Sequence, residues 1–343
     1  MVRRLDFVDG VSWVARVRLP LEATFASVDS YNSQRAFKIE VASMKFFKSK
    51  STIPVPEIFA YDHDPSNRVG APYMLMEYVH GTMAYEQQFF KHCTPSTFGT
   101  LEQDQRFRQQ MAKIQAQMLA FQFPKIGSLY YDEDTESFFI GPDMITGKGP
   151  WESSADYYRD LTDTLLKEMA ARYHDDAENT RPFYLPVLLN HLMSIHGKQS
   201  NGLFSLVNRD FGTHNILVDN DFNILAVIDF DGIFAAPPEA GAQYPIFSGM
   251  RVDLPDKAET NPYVLERIEQ TKPKLIEYRE LMMKYESEFM DGNVTTSSLL
   301  GSQAALIYQG FEECRGSLGT RDEKWHAAAI EMLREYAEAQ GSS

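Results

Sequence analysis

The sequence predicts an α+β protein in which a small, sheet-rich N-terminal part, residues 1–80, precedes a larger, mainly helical part, residues 81–343. Two observations predict this division. Up to residue 80 the chain is mostly predicted strand with one helix, and it opens with a hairpin whose apolar and polar residues alternate as in half-buried strands. After residue 100 the apolar residues mostly recur every three or four positions, which is typical of amphipathic helices. Short predicted strands within residues 206–230 are embedded in the helical part.

The chain opens with a predicted β-hairpin. Residues 2–7 and 11–19 alternate in polarity on either side of the turn pair Asp9–Gly10. One face of the second strand carries Val14, Arg16 and Arg18. The hairpin therefore places two arginines side by side on one face of a strand.

One helix and two further strands complete the N-terminal part. Residues 33–50 place Phe37, Val41 and Met44 at helical spacing, with Glu40 beside that stripe. Two prolines then end the helix, and residues 52–62 and 72–79 are predicted to be extended. We expect the hairpin and the 72–79 strand to share one sheet with the helix packed beside it, so that Glu40 reaches Arg16.

The C-terminal part is predicted to contain six helices and one hairpin. Helical spacing or capping residues mark the helices, at residues 107–121, 153–169, 185–192, 275–289, 299–311 and 325–336. Residues 128–141 are a predicted hairpin with an acidic turn, and residues 232–262, rich in Gly, Ala and Pro, are a predicted ordered loop. Tyr157 and Tyr158 are expected in the core because of their helical spacing.

Composition excludes several classes of function. The net charge of −15 and the pI near 5.0 argue against a nucleic-acid binder and fit a cationic small-molecule partner. Cys93 and Cys314 are too few for a disulfide framework or a cysteine-built zinc site. The sequence shows no stretch typical of a signal peptide and no apolar run of membrane-spanning length. We expect a soluble, cytoplasmic protein with neither a nucleic-acid nor a membrane partner.

Residues 206–232 carry the pattern that indicates chemistry. Asp210 precedes Asn215 by five residues, and two short predicted strands then lead to Asp229. Phosphoryl transfer needs a cation held against the phosphates and a carboxylate near the acceptor hydroxyl, and Mg²⁺ prefers oxygen ligands. A turn at residues 219–221 would return Asp229 to the side of Asn215. The pattern therefore favours a phosphoryl-transfer site.

A purely structural interpretation of these acids remains open at this point. Asp and Asn are common in turns, and the spacing of Asp210 and Asn215 alone would favour that interpretation. The strand, turn, strand and Asp229 that follow shift the balance toward a site. Asp231 is more often a turn acid than a third ligand, and His214 more often braces a loop than binds a metal.

These segments resemble a known family. Residues 206–232 resemble the catalytic and metal-binding segment of the aminoglycoside phosphotransferase and choline kinase-like family, above all its fungal members. Residues 37–62 resemble that family's helix–IPVP–strand run, residues 70–81 its strand into the hinge, and residues 125–142 a hairpin of the fungal members. The resemblance covers roughly residues 5–240 and implies a two-lobed protein-kinase-like fold.

The resemblance also implies a role for each matching residue. Asp210 would act as the base or would position the acceptor, and Asn215 and Asp229 would bind Mg²⁺. Arg16 would contact the phosphates of ATP, with Glu40 paired to it. The segment that would receive the adenine through its backbone comprises Glu77, Tyr78 and Val79.

The sequence departs from the family pattern in two places. Asn208 stands where the family has His, and Arg209 where it has Gly. The family's first strand and nucleotide-covering loop would precede the hairpin, and the sequence is expected to lack them. The expected function is an ATP- and Mg²⁺-dependent phosphotransferase acting on a hydroxyl of a small molecule. The alternatives are a catalytically impaired pseudokinase that serves as a nucleotide-binding or protein-interaction module, and a metal-dependent hydrolase that uses Asp210 and Asp229.

Overall fold

The computed structural model describes seven ranges of the chain, namely residues 1–18, 33–93, 97–172, 181–197, 202–246, 262–316 and 320–341. Its N-terminal lobe is an antiparallel sheet of four strands in the order β1-β2-β4-β3, with one helix beside it. These elements are β1 (Val2–Asp6), β2 (Ser12–Val17), α1 (Ser33–Lys50), β3 (Ile58–Asp62) and β4 (Tyr73–Glu77).

The second lobe contains the remaining elements. Its helices are α2 (Ala84–Phe90), α3 (Leu101–Leu119), α4 (Ser154–Arg172), α5 (Arg181–His196), α6 (Pro238–Gly241), α7 (Pro262–Phe289), α8 (Gln303–Gly316) and α9 (Thr320–Gly341). Its strands are β5 (Thr82–Met83), β6 (Gln122–Phe123), β7 (Gly127–Asp132), β8 (Ser137–Gly141), β9 (Phe204–Asn208), β10 (Ile216–Val218), β11 (Ile224–Val227) and β12 (Ile233–Ala236). Short 3₁₀ helices span Thr213–Asn215 and Ser297–Leu299.

The predicted N-terminal hairpin and its sheet partner are confirmed. Strands β1 and β2 pair with Leu5 opposite Trp13, and Gly10 in the turn adopts a φ of +86°, which glycine reaches without steric cost. Strand β2 pairs with β4 and places Arg16 opposite Met74. The hairpin and the 72–79 segment therefore belong to one sheet, as expected.

Helix α1 packs against this sheet through the predicted apolar stripe. Phe37, Val41 and Met44 are all buried, and they belong to the same core cluster as Met74. Glu40 is buried with them at 1% exposure. A carboxylate at this depth requires charged or hydrogen-bonding partners, which determines what the facing strand must supply.

Two sheets of the second lobe position the loops between them. Strand β10 pairs with β11 on one side and with β5 on the other. The five-stranded sheet has the order β6-β9-β12-β7-β8, so β9 and β12 are neighbours. The end of β9 and the start of β12 therefore bring the residues after Asn208 close to those before Ile233. The pairing of strands changes from one sheet to another between Glu77 and Thr82, near the expected lobe boundary at residue 80.

Three predictions about the second lobe were wrong in part. The predicted loop 232–262 contains β12 and the short helix α6, and its residues 247–261 lie outside the described ranges. Strand β12 was missed because all four of its residues are buried, so it shows no alternation. Helix α7 begins at Pro262, well before residue 275, and it continues through Pro273, a residue that ordinarily interrupts a helix. Helix α8 begins at Gln303 and not at residue 299, since a 3₁₀ turn precedes it.

The expectations for the 128–141 hairpin and for the two tyrosines are confirmed. The 128–141 hairpin is β7–β8, and Tyr157 and Tyr158 are buried at the start of α4. Cys93 and Cys314 are both free thiols. Among the helices in the described ranges, none has the length and apolar character needed to cross a bilayer.

Candidate active site

Asn208 links the loop after β9 to the loop after β11 through hydrogen bonds. The backbone N–H of Asp210 donates to Asn208 Oδ1 at 3.0 Å, and Asn208 Nδ2 donates to the carbonyl of Asp229 at 3.5 Å. A Cβ on Gly232 would lie 2.7 Å from Asn208 Oδ1, so only glycine allows this approach. Asn208 therefore makes architectural hydrogen bonds at the position where the family has His.

Asn215 is bound to Asp210 within the loop that both residues share. Asn215 Nδ2 donates to the carboxylate and to the carbonyl oxygen of Asp210, each at 3.0 Å. Asn215 is 5% exposed, whereas the Asp210 side chain is 47% exposed. Because the amide nitrogen is used internally, the amide oxygen is the atom that Asn215 can offer to a cation.

His214 contacts the same carboxylate. Its Nε2 lies 3.0 Å from Asp210 Oδ1, and its side chain is 26% exposed. The hydrogen bond to Asp210 raises the pKa of His214, and partial burial opposes that rise. His214 thus braces the loop, as expected, but it does so through the side chain proposed as the base.

Asp229 lies next to Asn215 because of a backbone hydrogen bond between their strands. The N–H of Ile228 donates to the carbonyl of Asn215 at 2.9 Å, so the following residue leaves β11 beside Asn215. Asp229 has a φ of +62°, a left-handed conformation that Asp tolerates better than most residues. The tight turn predicted from the sequence therefore brings Asp210, Asn215 and Asp229 together.

Arg16 connects this group to the N-terminal lobe. Its Nη2 donates to Asp229 Oδ1 at 2.8 Å, and its Nη1 lies 2.7 Å from Glu40 Oε1. The predicted contact between Arg16 and Glu40 is confirmed. The arginine side chain is 14% exposed, so these pairs are largely shielded from solvent.

A second set of ion pairs, made by Arg18, lies beside the first and was not predicted from the sequence. Arg18 Nη2 donates to Glu40 Oε2 at 2.9 Å and to Asp231 Oδ2 at 2.8 Å. Arg16 in β2 and Arg18 directly after β2 are two residues apart, as Asp229 and Asp231 are beyond β11. That matching spacing of two cations and two acids is the signal that could have predicted the pairing.

Burial makes two acids of this network, Glu40 and Asp231, harder to ionise. It raises the pKa of Glu40 to about 7, although Arg16 and Arg18 act to lower it. Burial also raises the pKa of Asp231, and the neighbouring charge of Asp229 adds to that effect. The network of Arg16, Arg18, Glu40, Asp229 and Asp231 thus contains three acids that share two arginines.

Arg209, the second departure from the family pattern, points away from the group around Asp210. It is buried and forms an ion pair with Asp143 at 2.7 Å. Its guanidinium carbon lies 3.3 Å from the centre of the Phe234 ring. Tyr157 offers a third contact through its hydroxyl at 3.4 Å. Arg209 therefore links the loop after β9 to α4 and to the segment after β8.

The predicted adenine-binding segment connects β4 to β5. The N–H of Glu77 donates to Glu57 at 2.8 Å, and the carbonyl of Val79 accepts from Gly81 at 2.9 Å. The guanidinium of Arg4 lies 4.4 Å from the centre of the Tyr78 ring. The structure places Glu77, Tyr78 and Val79 between the lobes, and their role in binding adenine stays a prediction.

The donor set around Asp229 fits a magnesium ion that also binds phosphates. Across the described ranges, no group of three or more His, Cys, Asp or Glu side chains could hold a metal by itself. Asn215 and Asp229 offer one amide oxygen and one carboxylate. Magnesium typically binds one or two carboxylates and completes its shell with water and substrate phosphates, so these residues fit the ion.

A match to a family model shows which family the chain belongs to. Residues 12–240 match the model of the phosphotransferase enzyme family, APH. The chain belongs to this family. The resemblance predicted from the sequence is therefore confirmed, together with the two-lobed protein-kinase-like fold of this phosphotransferase family. The matched range includes Arg16, Glu40 and the whole of residues 206–232.

Curated relatives of this phosphotransferase family member are longer proteins. A subtelomeric hrmA-associated cluster protein of Aspergillus fumigatus is 34% identical over 30% of this chain and 20% of its own length. Altered inheritance of mitochondria protein 9, mitochondrial, of Candida dubliniensis is 26% identical over 62% of this chain and 34% of its own length. The chain thus spans about a fifth to a third of these relatives. The cytoplasmic location expected from the sequence stays a prediction.

Solved structures of the phosphotransferase type also match at low identity. The streptomycin–ATP–APH(2″)-IIa ternary complex matches with a TM-score of 0.48 and 11% identity, over 97% of this chain and 91% of that one. The macrolide 2′-phosphotransferase type I matches with a TM-score of 0.47 and 12% identity, over 96% and 86% of the two chains.

Proposed function

We propose that the protein transfers the γ-phosphoryl group of ATP to a hydroxyl of a small molecule in a reaction that requires Mg²⁺. The observation that carries this proposal is the convergence of Asp210, Asn215 and Asp229 at one point, where Arg16 connects Asp229 to the buried Glu40. Membership of the phosphotransferase family supports the reaction class.

Asp210 is the group in this cluster that is suited to meet the acceptor. Its carboxylate is about half exposed, and Asn215 and His214 fix its orientation through hydrogen bonds. A carboxylate held in this way accepts a hydrogen bond from the acceptor hydroxyl and takes its proton as the bond to phosphorus forms.

Asn215 and Asp229 are the residues that would hold the magnesium ion. A bound magnesium ion neutralises charge on the transferring phosphates. Arg16 adds a positive charge at the same point, and Glu40 fixes the orientation of that arginine. The backbone of residues 77–79 would receive the adenine.

The acceptor is proposed to be a hydroxylated small molecule, and a cationic one fits the net charge of −15. The residues that would select it are those of the C-terminal helices and of the 232–262 segment, of which residues 247–261 lie outside the described ranges.

Thermal unfolding with nucleotide tests the metal site. Mg²⁺ with ATP should raise the melting temperature, because a ligand at a hundredfold excess over its Kd stabilises by about 2.7 kcal/mol. Asp229→Asn should lose the magnesium-dependent part of that rise. Asn is the suitable replacement, since it tolerates the left-handed backbone at this position. Equal rises in both proteins would remove Asp229 from the site.

A transfer assay tests the reaction itself. Phosphate transfer from ATP is measured with Mg²⁺ across amino-alcohols, sugars and aminoglycosides as acceptors. Acceptor-dependent transfer supports the phosphotransferase. Nucleotide binding without transfer to any acceptor would instead favour a pseudokinase, and release of phosphate from acceptors that already carry it would favour a hydrolase.

A further inference from the structure

A cavity outside the proposed active site lies between the N-terminal helix and the β7–β8 hairpin. Its volume is about 410 Å³, within the range of small-molecule sites. Apolar and aromatic side chains form most of its wall, namely Phe37, Val41, Tyr61, Tyr130, Tyr131 and Phe139. It contains none of the residues proposed for phosphoryl transfer.

The mouth of the cavity combines an exposed ring with consecutive acids. Phe139 is 46% exposed, and the ring of Tyr130 stacks on it with centres 5.7 Å apart. The turn between β7 and β8 contributes the carboxylates of Asp132, Glu133 and Asp134 to the lining. Aromatic faces beside carboxylates attract organic cations, because the ring quadrupole and the acids both favour positive charge.

The chain itself places an ammonium group against these rings. Lys45 Nζ lies 3.8 Å from the centre of the Tyr131 ring and 3.3 Å from the hydroxyl of Tyr61. The Tyr61 hydroxyl in turn donates to Glu133 at 2.8 Å. Two tyrosines of the lining, Tyr131 and Tyr61, therefore already contact one ammonium group beside the cavity.

The charges of the lining favour a cation over an anion. Asp132, Glu133 and Asp134 line the cavity together with Lys38 and His63, and Lys45 contacts the rings of two lining tyrosines. Hydrogen bonds to Asp132, led by the one from Thr135, lower the pKa of its carboxyl, so it is ionised at neutral pH.

We propose that this cavity is a binding site for a small organic ammonium compound that carries an aromatic or alkyl group. The apolar group lies against Phe37 and Val41, and the ammonium lies between the ring of Phe139 and the carboxylates of the β7–β8 turn. The site is distinct from the acceptor site of the proposed reaction, since it neither includes nor contacts Asp210.

Calorimetry with benzyltrimethylammonium tests the proposal on the full chain without nucleotide, so the result does not depend on the proposed reaction. The uncharged isostere neopentylbenzene should bind about tenfold more weakly, because it lacks the cation–π attraction. Phe139→Leu and Asp134→Asn should each weaken binding of the cation several-fold. Both residues are exposed, so both variants should fold.

Phe89→Leu serves as the matched control, since Phe89 is 75% exposed on α2 and outside the cavity. It should leave the affinity unchanged. The proposal is overturned by absent binding at millimolar concentration, by equal affinity for the uncharged isostere, or by unchanged affinity in both cavity variants. A loss of affinity in Asp210→Asn would also overturn it, because the cation would then bind near the proposed base.

Discussion

Two charged clusters contribute to the proposed site, and they differ in burial and in origin. The first cluster consists of Arg16 in β2, Arg18 directly after β2 and Glu40 in α1, with side-chain exposures of 14%, 14% and 1%. Asp210 and His214 form the second on the loop after β9, with exposures of 47% and 26%. The first cluster is part of the packing between strand and helix, whereas the second lies on a surface that the fold already supports.

The difference in burial implies that the first cluster contributes mainly to stability and the second mainly to the reaction. Removing a charge from the buried cluster leaves its partners uncompensated in a medium that solvates them poorly, so stability suffers. Removing a charge from the exposed cluster leaves groups that water can reach. Variants of the two clusters should therefore separate into those that unfold more easily and those that react more slowly.

The largest expected effect is on the reaction and comes from Asp210→Asn. A positioned general base contributes roughly 10²–10⁴ in rate, so turnover should fall by about that factor. The free energy of unfolding should change by no more than about 0.5 kcal/mol, because the site is exposed. Single-turnover phosphate transfer and urea unfolding measure the two quantities. Asp9→Asn, in the exposed turn of the first hairpin, is the control that should alter neither.

The next effect is on stability and concerns Arg18 with Asp231. A double-mutant cycle of Arg18→Gln and Asp231→Asn should give a coupling of about 1–3 kcal/mol, since the pair is shielded from water. The exposed pair of Lys48 and Glu57, at 3.4 Å, should give less than about 1 kcal/mol. Couplings of the same size in both cycles would erase the contrast between buried and exposed clusters.

A smaller effect concerns the pH dependence of stability. Burial raises the pKa of Glu40 to about 7, above its ordinary value of 4.5, so the folded state binds this proton more tightly than the unfolded state does. That contribution to stability is fully present below pH 4.5 and is lost as the pH rises through about 7. Glu40→Gln should flatten the urea-unfolding profile between these limits. A wild-type slope that persists in the variant would assign the titration to another group.

The smallest effect concerns His214 and the pH dependence of the rate. Hydrogen bonding to Asp210 raises the pKa of His214 above 6.5, and the protonated ring competes with the acceptor hydroxyl for the carboxylate. The rate should therefore rise with pH as His214 loses its proton. His214→Gln should abolish this limb of the pH–rate profile. An unchanged limb would assign the titration to a group other than His214.

Contacts between segments distant in sequence could be predicted only where a resemblance supplied the partner. The pairing of Arg16 with Glu40 was expected because residues 37–62 resemble the family's helix and strand. The pairing of Arg18 with Asp231 spans 213 residues, and alternation alone cannot tell which acid meets an arginine on a strand face. The sequence therefore placed Arg16 and Arg18 on one face of the hairpin but did not indicate which acid Arg18 meets.

The sequence also could not predict elements that lack periodicity or the partners of unusual side chains. Strand β12 is buried on both faces, so its residues give no alternating signal. Arg209 could be recognised only as a departure from the family pattern, since its partner Asp143 lies 66 residues away in a segment with no distinctive motif. By contrast, the group of Asp210, Asn215 and Asp229 depends on a local hairpin, and local order was enough to predict it.

Each oxygen of Glu40 is paired with a different arginine, one in β2 and one directly after it. This double contact fixes the rotation of α1 relative to β2. A carboxylate held at one oxygen could swing while keeping its partner, but rotation of α1 about its axis strains both contacts together. Helix α1 should therefore be either engaged with β2 or released from it, without a stable intermediate position. Hydrogen exchange would report this behaviour as a single opening step shared by the amides of α1 around Glu40, and separate steps for successive turns would contradict it.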